Sequence, residues 1–176
     1  MDKMNYAGFK RNEEAYPDKI FHRTRQIFGT IHKKYEKVSV DAQLTLMVSE
    51  IFVVSSANQD NVVPDWDALI KTITGKYDQV FADRTVTKAK IYYSYGKDWP
   101  VFTAAIVHYT EAYENKEDYK LMNKNANFIL KYSSDKSELK TALGWMQPAA
   151  AKEPANETYR ETVRASNEKL NKISPT

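Results

Sequence analysis

The clearest folding signal in the chain lies in residues 98–113, DWPVFTAAIVHYTEAY. Asp98 and Pro100 predict a helix start, because aspartate is a favoured N-cap and proline fits the first helical turn. From there apolar residues recur at intervals of three and four, which is the periodicity of a helix with one buried face. The predicted buried face consists of Phe102, Ala105, Ile106, Tyr109 and Tyr113.

The same periodicity extends in both directions along the chain. One helix begins at Asp65, and its apolar stripe runs through Tyr77 to Phe81 despite Gly75, which costs about 1 kcal/mol relative to alanine. Another begins at Ser134 or Asp135 and is kinked or ended by Pro148. The other predicted helices span about 17–35, 40–57, 83–95 (with a C-cap signal at Gly96), 117–132 and 156–170.

Eight helices joined mostly by short loops predict four antiparallel hairpins, because a short loop forces neighbouring helices to run antiparallel. We therefore predict an all-α fold, with the hairpins stacked as a single helical-repeat domain over residues 1–176. Residues of about 1–16 and 171–176 are expected to be poorly ordered or extended.

A degenerate repeat supports this stacking. The dipeptides Asp65-Trp66 and Asp98-Trp99 lie 33 residues apart, which is near the length of a helical-hairpin unit. Apolar residues follow each tryptophan at the third, seventh and fourteenth positions: Leu69 and Phe102, Ile73 and Ile106, Val80 and Tyr113. The alternative is that two capped tryptophans share this spacing by coincidence.

Composition excludes several classes of function. The chain has 176 residues and no cysteine, which rules out disulfides, zinc–thiolate sites, iron–sulfur clusters and thiol catalysis. Its 26 basic and 23 acidic side chains give a net charge of +3, too even for a strong nucleic-acid or membrane field. No apolar run approaches the roughly 20 residues of a membrane helix. The N-terminal residues lack the apolar segment of a signal peptide, an observation that bears only on an unprocessed chain.

Several small and apolar residues follow the pattern of the tetratricopeptide (TPR) repeat. Ala142, Ala149 and Pro154 have the spacing of its two small residues and closing proline, with Met146 at its large apolar position. Upstream, the opening Trp-x-x-Leu and the two small positions are matched by Trp66, Leu69, Ala82 and Ala89. The chain therefore resembles a degenerate TPR array, which implies a right-handed stack of hairpins.

The departures from the TPR pattern are specific. Ile70 stands where the repeat has glycine, Ser94 stands where it has proline, and Pro148 falls inside a predicted helix. The spacing between the units is also irregular.

A second resemblance covers about residues 21–170. The residues that carry it are Lys97-Asp98-Trp99, Tyr109, Tyr113, Leu121-Met122-Asn123, Leu139, Ala142-Leu143-Gly144-Trp145 and Pro154-Ala155-Asn156-Glu157-Thr158-Tyr159. Together they resemble the helical region that follows the thioredoxin domain in some Bacteroidetes-type thioredoxin-like proteins. The resemblance implies an accessory module of a periplasmic or cell-envelope protein. The thioredoxin part with its Cys-x-x-Cys is not in this chain, so no redox residue is carried over.

The polar residues show no catalytic constellation. The histidines His22 and His32 do not share a helix face, and His108 is expected to be structural or solvated, so no metal site or cofactor is predicted. Adjacent acids such as Glu117-Asp118 point to different sides of a helix, and the serine pairs lack a nucleophile elbow. We predict that the chain is not an enzyme. The alternative is a free-standing enzyme with an unrecognised polar pocket, which converging acids and a histidine would favour.

A third and weaker alternative is nucleic-acid binding by the predicted helix at 17–35. Its basic face could contact phosphates through Lys19, Arg23, Arg25, Lys33, Lys34 and Lys37. A charge-rich helix face is more often a solvated surface, and acidic residues elsewhere nearly cancel this charge. We therefore predict no nucleic-acid partner.

The tyrosines around residues 92–113 are the best functional candidates. Core packing between two helices accounts for Tyr92, Trp99 and Phe102. Helical arrays also bind peptides in concave grooves, and tyrosine is enriched at interfaces. We therefore predict a protein-interaction or scaffold module with a protein or peptide partner, and its candidate binding residues are Tyr93, Tyr95, Tyr109 and Tyr113.

Overall fold

The computed structural model describes residues 63–173, which all belong to one compact unit of the chain. This part holds six helices and no strand: α1 Trp66–Lys76, α2 Gln79–Ser94, α3 Trp99–Tyr113, α4 Tyr119–Tyr132, α5 Lys136–Lys152 and α6 Glu157–Ile173. The all-α prediction is confirmed over these residues. The predicted helices at 17–35 and 40–57 and the predicted N-terminal stretch lie outside them. The prediction that residues 1–176 form a single domain stays a prediction.

Five of the six helices begin directly after an aspartate. Each carboxylate accepts a backbone N–H of the first turn, and the residues are Asp65, Asp78, Asp98, Asp118 and Asp135. Such a cap stabilises a helix by roughly 1 kcal/mol relative to alanine, because the first N–H groups have no partner within the helix. The predicted starts after Asp65, Asp98 and Asp135 are confirmed.

The prediction of one continuous helix from Asp65 to Phe81 is wrong. Helix α1 ends at Lys76, and α2 begins at Gln79, four residues before its predicted start. The break is stabilised by Asp78, whose carboxylate accepts the N–H of Phe81 at 2.7 Å. The rings of Tyr77 and Phe81 pack against each other across the break with centres 4.8 Å apart, so the apolar stripe continues although the helix does not.

The predicted helix end at Pro148 is wrong, because α5 continues through this residue to Lys152, while the alternative of a kink at Pro148 stays a prediction. A proline ring within a helix conflicts with the carbonyl four residues earlier and leaves that carbonyl without its N–H partner. Here the earlier residue is Gly144, and both residues are exposed, so solvent can reach the carbonyl. The predicted extended tail is wrong for residues 171–173, which form the last turn of α6, and 174–176 lie outside the described residues.

Consecutive helices are joined by two to five residues and pack against each other, as antiparallel hairpins do. Helix α3 also packs against α5, and α4 packs against α6. The shared core of α3 to α6 is built around Phe102, Met122, Ile129, Leu139 and Met146. The alanines at the small positions of the TPR pattern are all buried: Ala82, Ala89, Ala142 and Ala149. The prediction that the hairpins stack in a right-handed array stays a prediction.

The residues spaced by 33 positions correspond as far as the eighth residue of their helices. Ile73 and Ile106 are both buried. At the fourteenth position the correspondence fails, because Val80 lies in the first turn of α2 with 66% of its surface exposed, whereas Tyr113 is the last residue of α3. Helix α1 has 11 residues and α3 has 15, which is why the register is lost.

Candidate functional site

A groove of about 360 Å³ lies between α2, α3 and α4 and is open to solvent. Each helix lines it with residues at helical spacing, so one face of each helix meets the groove. Helix α2 contributes Lys88, Ile91 and Tyr92, followed by its C-cap Tyr95. The other lining residues are Phe102, Ile106, Tyr109 and Thr110 of α3, Glu114 after it, and Leu121, Lys124, Asn125 and Phe128 of α4.

One end of the groove is aromatic. The Phe102 ring meets Tyr95 and Phe128 edge to face, with ring centres 5.3 Å and 5.6 Å apart. Behind them Trp99 stacks flat on Tyr132 at 3.7 Å, and both rings contact Phe102. Such aromatic pairs each add about 0.5–1.5 kcal/mol beyond area burial, so this end of the groove is a stiff apolar wall.

The other end is cationic. The Lys88 ammonium lies 4.4 Å from the centre of the Tyr109 ring and 6.0 Å from that of Tyr92. Burial lowers the pKa of Lys88, the positive charges of Lys124 and Arg84 lower it further, and the Glu114 carboxylate acts in the opposite sense. Within residues 63–173, no carboxylate lies within 4 Å of the Lys88 ammonium.

The floor of the groove is fixed by a polar bridge between α3 and α4. The Asn125 side-chain nitrogen donates to the Thr110 hydroxyl at 2.9 Å, and Thr110 is buried. Lys116 donates to the Thr110 carbonyl oxygen from the loop before α4. These bonds join α3 to α4 and to the loop before it.

The structure separates the four predicted binding tyrosines. Tyr95 and Tyr109 line the groove, but Tyr109 is buried and belongs to its floor. Tyr93 faces α1 instead, because it lies one residue, or about 100°, further round α2 than Tyr92. Its ring meets Trp66 at 5.6 Å, and the Lys97 ammonium lies 4.3 Å from its centre.

Two further residues of the predicted aromatic set behave differently from expectation. Tyr113 lies outside the groove, where its hydroxyl donates to the Asp83 carboxylate. Tyr92 was assigned to the core, but 42% of its surface is exposed and it lines the groove. Core packing is confirmed for Phe102, which is buried, while Trp99 is partly buried beside it.

An acid, a histidine and a tyrosine meet on the outer side of α2 and α3. The Nε2 atom of His108 lies 2.7 Å from Oδ2 of Asp83, the oxygen that also accepts from Tyr113. Burial by itself would raise the pKa of Asp83, but the hydrogen bonds from Tyr113 and His108, together with nearby positive charge, lower it. Burial and the Asp83 charge raise the pKa of Tyr113, so this phenol keeps its proton at neutral pH.

This cluster lies outside the groove. Neither the groove nor a second cavity beside Trp145 is lined by Asp83, His108 or Tyr113. The His108 side chain is 53% exposed. An ionised acid bonded to a protonated phenol and an exposed imidazole ties the start of α2 to the end of α3.

A second cavity of about 500 Å³ lies beside Trp145, between α5 and the loop before α4. The Trp145 indole donates to Glu111 at 2.5 Å, and Lys116 pairs with the same carboxylate at 3.0 Å. Burial tends to raise the pKa of Glu111, but these two bonds and the Lys116 charge lower it. The polar groups along this cavity are thus largely engaged with one another.

Several sequence-based candidates lie outside the described residues, namely His22, His32 and the basic face between Lys19 and Lys37. From Val63 to Ile173, no group of three or more histidines and acids is arranged to hold a metal ion. In the same part of the chain, no helix is both long and apolar enough to cross a membrane.

No family model, curated protein or solved structure matches the chain.

Proposed function

We propose that this protein is an interaction module that binds a peptide segment of a partner protein in the groove between α2, α3 and α4. The observation that carries the proposal is the exposure of aromatic rings along this groove: 42% for Tyr92 and 55% for Tyr95. Tyrosine is enriched among the residues that dominate binding energies at interfaces. A folded chain gains little by exposing these rings to water, whereas a bound peptide would cover them.

The shape of the groove supports a peptide as ligand. A volume of about 360 Å³ is at the small end of ligand sites and holds a few side chains. The groove is an open trough between three helices, so a chain could enter and leave at its ends. Its stiff aromatic wall and its Thr110–Asn125 bridge keep the walls in place, which lowers the ordering cost of binding.

The enzymatic alternative has one feature in its favour, the meeting of Asp83 with His108. This pair lies outside the groove, and the third member of the cluster is a phenol that holds its proton. Among residues 63–173, the groove is lined by one carboxylate, Glu114, and by no histidine. Binding therefore explains the groove better than acid–base chemistry does. A role beside a thioredoxin-like envelope protein stays a prediction from the sequence resemblance.

A peptide-display selection against the full chain tests the proposal. Enriched peptides should lose at least about tenfold in affinity for the Tyr95→Ala variant, because an exposed aromatic ring of the groove is removed. Val80→Ala is the matched control, since Val80 is also exposed and lines neither this groove nor the cavity beside Trp145. Circular dichroism should show both variants folded. Peptides that bind both variants as tightly as the wild type would place the interaction elsewhere and contradict the proposal.

A further inference from the structure

The charges around the groove are unevenly distributed. Lys88 and Lys124 line it, and the Arg84 charge acts on Lys88 from the preceding turn of α2. In the described part of the chain, the one carboxylate that lines the groove against these three cations is Glu114. Partial burial and neighbouring positive charges raise the free energy of a charged ammonium. A carboxylate of a bound ligand lowers that free energy again.

The aromatic and cationic ends are separated by a distance that a short peptide spans. Lys88 and Tyr95 are two turns apart on α2, about 10 Å along the axis, and Lys124 and Phe128 are one turn apart on α4, about 6 Å. In an extended peptide, residues i and i+2 point to the same side and lie about 7 Å apart. One apolar anchor and an acid two residues away therefore match both ends of the groove.

We propose that the groove recognises an acidic peptide segment, in which an aromatic or large aliphatic anchor contacts Tyr95, Phe102 and Phe128 while a carboxylate two residues away meets Lys88 and Lys124. The proposal rests on the peptide-binding function proposed above and narrows its ligand. Opposite charge favours this ligand over a neutral or basic one, because a basic segment would add like charge beside a partly desolvated ammonium. Lys88 is held over the Tyr109 ring before any ligand arrives, so little ordering is needed.

Four capped peptides added to the full-length protein test the proposal. The acidic probe is acetyl-Ser-Glu-Ser-Phe-Ser-Glu-Ser-amide. The neutral and basic probes carry glutamine and lysine in place of both glutamates, and the anchorless probe carries alanine in place of phenylalanine. Titrations followed by amide shifts in nitrogen-15 NMR give both the affinity and the location. We expect the acidic probe to shift groove residues and to bind at least about fivefold more tightly than the neutral probe at low salt.

Charge-removing variants identify the residues that are responsible. Lys88→Gln and Lys124→Gln should each reduce the affinity for the acidic probe by about fivefold to tenfold and leave that for the neutral probe unchanged. Lys140→Gln is the matched control, because Lys140 is exposed on α5 and lines neither cavity. The Lys88→Arg variant keeps the charge and should retain most of the affinity.

The outcomes separate this inference from the proposed function. Equal binding of the acidic and neutral probes at the groove would overturn the acidic specificity and leave the peptide-binding function standing. Tighter binding of the basic probe would have the same meaning. If none of the four probes shifts groove residues, or if the free protein shows contacts between the groove and another segment of its own chain, both proposals fail.

Discussion

The Tyr109 phenol oxygen accepts a hydrogen bond from Arg84 Nε at 3.4 Å, and Lys88 lies over the face of the same ring. One buried tyrosine thus holds two cations of α2 in place from α3. The Arg84 guanidinium also lies 5.6 Å from the Tyr113 ring, whose hydroxyl bonds to Asp83. The charge at the groove end is therefore supported by the contacts that join α2 to α3.

Removing the charge of Lys88 while keeping its stem should leave stability nearly unchanged. Lys88→Met loses a cation–π attraction of about 0.5–2 kcal/mol but also removes the cost of a partly desolvated ammonium. We expect the free energy of unfolding in urea to stay within about 1 kcal/mol of the wild type. Lys88→Ala, which also removes the packed stem, should cost more. Equal losses for both variants would show that the charge itself stabilises the fold.

Affinity for the acidic probe should fall at alkaline pH because of Lys88. Burial holds the pKa of free Lys88 below 10.5, and a bound carboxylate raises it again. The contribution of Lys88 to the affinity is then fully present below the pKa that Lys88 has in the free protein. It is lost as the pH rises from that value through the raised pKa of the complex.

The Lys88→Arg variant tests whether Lys88 is the titrating group, because arginine stays charged throughout while the rest of the chain is unchanged. Isothermal titration calorimetry over the alkaline range should show an earlier loss of affinity for the wild type than for the arginine variant. Superimposed pH profiles would exclude Lys88 as the titrating group.

The Asp83 cluster should stabilise the fold only while its carboxylate is charged. The folded-state pKa of Asp83 is lowered below 3.8, so its contribution is present above that value and is lost as pH falls through the lowered pKa. At neutral pH the free energy of unfolding of the wild type should therefore exceed that of Asp83→Asn by about 0.5–1 kcal/mol. The difference is modest because Asp83 is partly exposed. The difference should shrink in acid. Urea denaturation at both pH values measures it, and a constant difference would mean that the charge plays no part.

Much of the fold could be predicted because its signals are local. The helix starts after Asp65, Asp98 and Asp135 follow from a cap and the apolar spacing behind it. The break between α1 and α2 was missed because Tyr77 and Phe81 meet across it, which leaves the periodicity intact. The aspartate at position 78 was the available signal, since it caps α2 as the other aspartates cap their helices.

The groove could be predicted only in part. Tyr95 was identified because it leaves the apolar stripe of its helix, and the structure places it in the groove. Lys88 and Lys124 were missed because they lie 36 positions apart in the sequence. Only the packing of α2, α3 and α4 brings them to the same end of the groove. Tyr113 was misplaced for the same reason, since Asp83 lies 30 positions away in sequence.

Close packing at the small positions of the TPR-like pattern should be sensitive to added volume. Ala142 is fully buried on α5, whereas Ala151 on the same helix is exposed. Ala142→Leu should lower the free energy of unfolding by about 1–3 kcal/mol, because a filled core accepts extra methylene groups only with strain. Ala151→Leu should change it by less than about 0.5 kcal/mol. Thermal and urea denaturation would measure both, and an unaffected Ala142→Leu variant would reveal unfilled space in the core.

Two glycines should respond to alanine with opposite signs. A Cβ atom built on Gly75 or on Gly96 meets nothing within 4 Å, so space does not distinguish them. Gly75 lies within helix α1, where alanine is favoured over glycine by about 0.5–1 kcal/mol. Gly96 follows α2 with φ of 76°, a left-handed conformation that costs other residues about 1–2 kcal/mol. Gly75→Ala should therefore raise the midpoint of urea denaturation and Gly96→Ala should lower it. A stabilising Gly96→Ala would mean that the α2–α3 loop adopts another backbone conformation in solution.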